Sequence, residues 1–428
     1  MKRTHFINSA SPVALVLALG TLAGCAHVPQ DHGIDEVRGL VQERAMQDAR
    51  WALTEDEDAA TVTKALLEEP LTPESAMQLA LLRNPDVIIA FAELGISRAE
   101  LIEAGTLPNP SLFGMARFIA GSGSGTNVEV ETTFPLLDAI MVPMRRKIET
   151  RHFEHAKLKA AREVIDILAE VRAAYYEAFS AQQELELVAL SREGSSDAAD
   201  LAARQYEAGN LSRLERLSHE AFDVRLRMEA RELAAEAVDK EQHLRRLMGL
   251  RPADPGWYWP MRYPEPGTPE ADADTLESMA IERRLDLAAA AHEVEAMEYA
   301  LKLAKRFRYT GLIDVGASGE REPHGEWLVG PTLELELPIF DRKRGEVLRT
   351  RSMLDLTGAE RDALELDIRT EVRAAAEKLA EARERLQAYA NELLPLHHAL
   401  VQEAQLHHNA MLIGVYDLLE AKQSELET

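Results

Sequence analysis

Cysteine, aromatic residues and long apolar runs are all scarce in this 428-residue chain, and each shortage excludes something. The lone Cys25 rules out a disulfide, or a metal site built on cysteines, within one chain. No run of about 18 or more apolar residues occurs, so no helix can anchor the mature chain across a bilayer. Cations are in deficit: 48 Lys and Arg against 73 Asp and Glu leave a net charge of −25. That balance repels phosphate backbones and argues against nucleic acid as a partner. Aromatics make up only 5%, few for a large enzyme core, whereas 46% hydrophobic residues are too many for a disordered chain. No H-E-x-x-H, nucleophile elbow or P-loop is found, so an enzyme reading has no catalytic site to build on and no metal site is expected.

What is present begins at the N-terminus. Lys2, Arg3 and His5 precede the apolar stretch Val13-Ala14-Leu15-Val16-Leu17-Ala18-Leu19, the charged and hydrophobic regions of a secretory signal. The stretch ends in Leu22-Ala23-Gly24-Cys25, which resembles a bacterial lipobox. Such a signal implies cleavage after Gly24 and a covalent lipid on the Cys25 thiol, with no other cofactor. Ala26 follows, where retention in the inner membrane resembles an Asp pattern, so outer-membrane sorting is expected. Residues 1–24 read as the signal peptide and residues 25–71 as a lipidated N-terminal arm.

The rest is duplicated. Leu79-Ala80-Leu81-Leu82-Arg83-Asn84-Pro85-Asp86 aligns with Met279-Ala280-Ile281-Glu282-Arg283-Arg284-Leu285-Asp286 at an offset of 200. Phe134-Pro135-Leu136-Leu137-Asp138 aligns with Leu337-Pro338-Ile339-Phe340-Asp341 at 203, and Glu170-Val171-Arg172-Ala173-Ala174 with Glu371-Val372-Arg373-Ala374-Ala375 at 201. Gly209 pairs with Gly414 at 205. Four blocks in one order at nearly one offset indicate a repeat. The units run over residues 72–250 and 275–428, separated by a Pro-rich linker at 251–274 that holds Trp257-Tyr258-Trp259. By the repeat, the last helix is about 25 residues short.

Each unit reads as helix, two strands, then very long helix. Thr72 is a candidate N-cap with Pro73 at the first helical position, and the helix runs toward Gly105. Strands are expected within about 111–137, with Val128, Val130, Thr132 and Phe134 on one face, and within about 311–338, with Leu333, Leu335 and Leu337 alternating with Glu334 and Glu336. Gly121-Ser122-Gly123-Ser124-Gly125 and the segment from Glu320 to Gly325 read as hairpin loops. Met144 to Glu207 lacks proline and would span roughly 95 Å as a helix. Val164, Leu168, Val171, Tyr175, Ala178, Gln182 and Leu185 form a coiled-coil seam, and Ile368, Val372, Ala375, Leu379, Ala382, Leu386, Tyr389 and Leu393 form another. Four strands of roughly ten residues are too few to close a barrel, which needs about eight, so several copies must share one.

The order of elements, the doubling and the lipobox resemble the TolC-type outer-membrane efflux factors, in their lipoprotein branch serving heavy-metal and multidrug pumps. The resemblance covers roughly residues 70 to 428. It implies a mainly α fold with a β-barrel part: a homotrimer with a shared 12-stranded barrel in outer-membrane lipid on a long helical periplasmic tunnel. It also implies partners: a periplasmic adaptor (membrane fusion protein) and an inner-membrane efflux pump of the proton-driven resistance-nodulation-division type. The chain would be a passive exit duct for metal cations or small toxic molecules, not an enzyme.

Two segments resemble the family's adaptor-docking tips: Gly209, Asn210, Leu211 and Ser212, and Gly414, Val415 and Tyr416. Both glycines are expected to take the left-handed conformation that reverses the chain. Asp417 and Glu420 resemble acidic positions that ring the periplasmic aperture. His397-His398 and His407-His408 are dense, yet His397 and His408 would lie roughly 16 Å apart along a helix, too far to share an ion. Arg342-Lys343-Arg344 and Arg145-Arg146-Lys147 hold comparable places where strands give way to helices, near the inner surface of the outer membrane. A periplasmic adaptor or a structural coiled-coil envelope lipoprotein is the alternative; the duplication and the alternating strands weigh against both.

Overall fold

The computed structural model describes residues 33–45, 51, 57–118, 125–263 and 272–428. The chain divides into two compact units, one built from residues 33–36, 93–157 and 288–360, the other from residues 37–92, 158–287 and 361–428, each from its described residues only. The first repeat contains α1 (Ile34–Arg44) and α2 (Glu57–Glu68) ahead of it, then α3 (Pro73–Arg83), α4 (Pro85–Gly105), β1 (Ser111–Phe118), β2 (Thr126–Pro135), α5 (Leu136–Glu207) and α6 (Arg213–Leu247). The second contains α7 (Ala273–Arg283), α8 (Leu285–Arg306), β3 (Ile313–Arg321), β4 (Trp327–Leu335), α9 (Arg344–Ala388), a π turn (Tyr389–Leu393), α10 (Leu394–Asn409) and α11 (Val415–Glu427).

Local chemistry sets the ends of these elements. Thr72 caps α3 in a reciprocal box with Ser75, and Pro73 opens the helix. The single helix expected from Pro73 to Gly105 is broken at Asn84, because Pro85 pushes the residue before it to extended backbone (φ −67°, ψ 124°). Asn84 then donates from its side chain to the Leu247 carbonyl at 2.8 Å and accepts from the Asp86 amide at 2.7 Å. The second repeat reproduces this break at Arg284 (φ −66°, ψ 125°) without a proline. There the Arg284 guanidinium holds Asp286 at 2.6 Å and Glu371 at 2.7 Å, so ion pairs do what Pro85 does in the first copy. The π turn also has a local cause. Pro395 has no N–H to give, and the Leu394 amide reaches back five residues to the Tyr389 carbonyl.

In the unit that holds α3 and α6, the core is the predicted first seam. Val164, Leu168, Val171, Tyr175 and Ala178 are at most 2% exposed. Tyr175 donates its hydroxyl to the Leu71 carbonyl at 2.9 Å, and burial pushes its phenol up to about 12. Trp259 from the linker stacks on Phe179 with ring centroids 5.5 Å apart. Gly249 (φ +68°) lets the chain pass the end of α3: a Cβ there would lie 2.3 Å from the Arg83 carbonyl oxygen.

The other unit holds the sheet. Its order is β1-β2-β3-β4, every neighbour antiparallel, so the β2–β3 ladder joins the hairpins of the two repeats. The boundaries differ by a few residues from expectation: β3 begins at Ile313 rather than near 311, and β2 runs directly into α5 at Leu136, with Pro143 inside its first turns. Glu322 to Glu326 closes the second hairpin, with Gly325 at φ +96°. Residues 119–124 of the first hairpin loop lie outside the described residues.

Candidate functional site: strand faces and hairpin tips

Strand alternation and register together assign every side chain of the sheet to a face. One face carries Leu112, Gly114, Ala116 and Phe118; Thr126, Val128, Val130, Thr132 and Phe134; Ile313, Val315, Ala317 and Gly319; and Trp327, Val329, Pro331, Leu333 and Leu335, with Arg321 as its one charged member at the hairpin end. Leu112, Phe118, Val329 and Leu333 on it are 62–77% exposed. The opposite face carries Glu129, Glu131, Asp314, Glu320 and Glu334 among Ser111, Thr133, Ser318 and Thr332, with Phe113, Met115 and Leu328 as its apolar members. Its one cation, Arg117, reaches diagonally to Glu129 at 3.3 Å, and Asn127 donates to Glu320 at 2.6 Å. An apolar face backed by an acidic one suits a wall between hydrocarbon and water. β1 and β4 are the two edges, and Pro331, which cannot donate to a ladder, sits on one of them.

The two hairpin tips share one backbone pattern. In the first, Gly209 N–H bonds to the Tyr206 carbonyl and Asn210 N–H to Gln205; in the second, Met411 N–H bonds to His408 and Leu412 N–H to His407. The equivalent of Gly209 (φ +77°) is therefore Met411 (φ +58°), at an offset of 202. This corrects the pairing of Gly209 with Gly414. Gly414 is not left-handed: at φ −75°, ψ 168° it is the extended N-cap of α11, the counterpart of Ser212. Val415 and Tyr416 open α11. The sequence pointed to the wrong residue because glycine is the default for a left-handed site, and Met411 takes the conformation without one.

Capping also accounts for one acidic residue. Asp417 accepts the Gly414 amide at 2.8 Å, as Glu215 accepts that of Ser212 at 2.9 Å. Bonds to Ser212 hold the Glu215 carboxyl below its ordinary value. Asp417 and Glu420 do line one groove, together with His397, Glu403 and His407. His407, not His408, thus joins His397; His408 turns toward the Ile413 carbonyl. His398 pairs with Glu425 at 2.9 Å, tying α10 to α11. Among the described residues no group of three or more His, Cys, Asp or Glu is placed to hold a metal ion. A second groove, of ≈ 850 Å³, lies among α5, α6 and α11 and contains His219 stacked on Tyr416 with centroids 3.8 Å apart. Burial holds the His219 imidazole below its ordinary value and pushes Tyr416 up.

The second seam behaves unlike the first. Ile368 is fully buried, but Leu379, Leu386, Tyr389, Leu393 and Leu400 are 37–58% exposed. Val372, Leu379, Leu386, Leu393 and Leu400 recur every seven residues, a heptad stripe that this chain leaves uncovered. Glu277 was not foreseen as a site. It is 9% exposed and clasped by Arg369 and Arg373, each at 2.6 Å, which hold its carboxyl low. Cys25 and the segment expected to be an N-terminal signal lie outside the described residues. Among the described residues no helix is long and apolar enough to cross a membrane.

Residues 76–250 match the sequence model of the family described as outer membrane efflux protein. Cobalt-zinc-cadmium resistance protein CzcC of Cupriavidus metallidurans is 22% identical over 356 residues, covering 83% of this chain and 84% of the relative. Among solved structures, the outer-membrane channel OprN superposes with a TM-score of 0.67 at 18% identity, over 89% of this chain and 92% of that one. The Campylobacter jejuni CmeC outer membrane channel gives 0.68 at 14% identity, over 89% and 84%. The chain is therefore similar to outer-membrane efflux proteins, and its mainly helical fold with a few antiparallel strands is that of these channels.

Proposed function

We propose that this protein is the outer-membrane exit duct of a tripartite efflux system, moving cargo passively from an inner-membrane pump and a periplasmic adaptor to the outside. The two-faced sheet is the observation that carries the reading. A bilayer demands that every backbone group be bonded and that lipid-facing side chains be apolar; one face meets the second demand except at its hairpin end, where Arg321 stands, and two open edges leave the first unmet. Three copies joined edge to edge make a 12-stranded barrel, apolar outside and acidic inside. The uncovered heptad stripe from Val372 to Leu400 supplies a second contact between copies. Cys25, once lipidated, anchors the N-terminal arm in the same membrane, and the tips at Gly209 and Met411 meet the adaptor. Asp417 and Glu420 face the periplasmic aperture when three copies assemble.

Cargo follows from charge. The five carboxylates of the inner face favour cations over anions, and a relative is named for resistance to cobalt, zinc and cadmium. Divalent transition-metal cations are the proposed cargo. The test is the native mass of full-length protein extracted from outer membranes in detergent, paired with growth of a deletion strain on these metals. A three-chain particle is expected, with the metal sensitivity of the deletion strain reversed by the plasmid-borne gene. A monomer released without detergent would remove the channel reading, and sensitivity to drugs alone would remove the metal cargo.

A further inference from the structure

The connection from β4 to α9 leaves the protein in a way its counterpart does not. Leu337, Ile339 and Phe340 are 69%, 62% and 99% exposed, whereas Leu137, which aligns with Phe340, is 8% exposed at the start of α5. Three consecutive cations follow, Arg342, Lys343 and Arg344, and no ion pair joins any of them among the described residues. At the offset of 203 these positions correspond to Ala139, Ile140 and Met141; the basic trio of the first repeat, Arg145-Arg146-Lys147, lies further on, inside α5. Arg145, in the basic cluster of the first repeat, is instead paired with Asp138. The backbone is set to present the trio: Lys343 stands at φ +51°, and its amide is held by Asp341 at 2.8 Å. Leu333 and Leu335, 62% and 52% exposed, make the hook continuous with the apolar face of the sheet.

We infer that the Leu337–Arg344 connection is a lipid-binding hook, its apolar side chains seated among acyl chains and its three cations on the phosphates of anionic phospholipid in the periplasmic leaflet. This rests on the reading of the strands as a bilayer-spanning wall. The argument is one of continuity and charge. An apolar surface that runs off the end of a lipid-facing sheet meets the headgroup level there, and that is where unpaired cations gain most from anionic lipid. Three uncompensated cations in a chain of net charge −25 otherwise have no partner of opposite sign at this place. Asp341 is occupied by the Lys343 amide, and no bond joins it to the guanidinium groups.

The test compares the full-length protein with and without Phe340→Trp, reconstituted into vesicles of phosphatidylcholine and phosphatidylglycerol with bromine on one lipid at a time, and reads the quenching gained over the parent, whose four tryptophans include Trp327 on the lipid-facing side. Tryptophan quenching by brominated phosphatidylglycerol should exceed that by brominated phosphatidylcholine, and salt should reduce the difference. Each cation near an anionic surface is worth about 1 kcal/mol, roughly fivefold in local lipid preference. Replacing all three (Arg342→Gln, Lys343→Gln, Arg344→Gln) should therefore cut the preference by at least about tenfold, while Arg342→Lys with Arg344→Lys keeps it. Equal quenching by both lipids, or an undiminished preference in the glutamine variant, overturns the inference. Ion conductance of the same vesicles separates the two readings. Conductance without lipid preference refutes the hook and leaves the channel; neither conductance nor quenching by either lipid refutes both.

Discussion

Met411→Gly should make the second hairpin tip more stable, although it removes a large side chain. Met411 is 93% exposed, so truncation costs almost no packing. Its left-handed backbone costs a residue with a Cβ about 1–2 kcal/mol, which glycine does not incur. Glycine enlarges the unfolded ensemble in return, by roughly 0.5–1 kcal/mol. The difference favours the glycine variant by about 0.5–1 kcal/mol, or roughly two- to fivefold in the opening equilibrium of the tip. Global melting is a poor probe, because it reads the whole chain and not the opening of one turn. Hydrogen exchange of the amides of Met411, Leu412 and the first turn of α11 reads the local opening directly. Protection should rise in Met411→Gly and fall in the mirror variant Gly209→Ala, where a Cβ would meet no atom within 4 Å and only the φ of +77° is at stake. Unchanged or reduced protection in Met411→Gly would refute the assignment of strain to this residue. Should the glycine variant also lose efflux in cells, the strained, outward Met411 and Leu412 are being used to meet a partner.

Gly249→Ala should be far worse than Gly209→Ala, by about 3 kcal/mol or more, because its Cβ would lie 2.3 Å from a backbone oxygen that cannot move aside; the yield of folded protein in the outer membrane checks this. His152 donates from Nδ1 to Glu293 at 3.0 Å, and that bond raises the imidazole above its ordinary 6.5 while lowering Glu293. The pair's contribution is therefore full between about 4.5 and 6.5, is lost as pH falls through the lowered Glu293 value or rises through the raised His152 value, and should vanish from the pH–stability profile in His152→Gln. Glu277→Gln should loosen α7 from α9 and raise exchange of α7 amides, since Arg369 and Arg373 lose their shared carboxylate; added salt should mimic part of this in the parent protein.

Much of the architecture was legible in the sequence because period and punctuation are local properties. Alternation over Val128–Phe134 and Leu333–Leu335 gave the faces of β2 and β4, and the four-and-three spacing of Val164 to Ala178 gave a seam that is in fact buried. The break at Asn84 could have been read from Pro85, but the same break at Arg284 had no local signal, since Glu371 that secures it is 87 residues away. The tips show the same limit. Gly209 announces a left-handed turn; Met411 does not, and only the repeat of the Schellman-type bonds at Tyr206 and His408 exposes the equivalence. Likewise, nothing in the residue type distinguishes Asp417 as a cap from Asp417 as a free charge until the Gly414 amide is seen beside it.

The two repeats have diverged in one direction. In the first, Met77 and Leu168 are buried at 4% and 1%; at the matching positions of the second stand Glu277 and Arg369, paired at 2.6 Å. Leu137 is covered where Phe340 is bare, and the first seam is filled where Leu379, Leu386 and Leu400 are open. Gly209 relaxes a turn that Met411 strains. A duplicated chain needs only one copy of each unit to complete its own core, and burying that seam supplies the larger share of its stability. The other copy is then free to keep apolar stripes, an exposed hook and a strained tip, all costly in an isolated chain and all useful only against something else. By this logic, substitutions that fill the first seam poorly, such as Leu168→Ala, should lower the amount of folded protein. Those on the open stripe, such as Leu386→Ala, should leave the single chain intact and weaken the proposed three-chain particle.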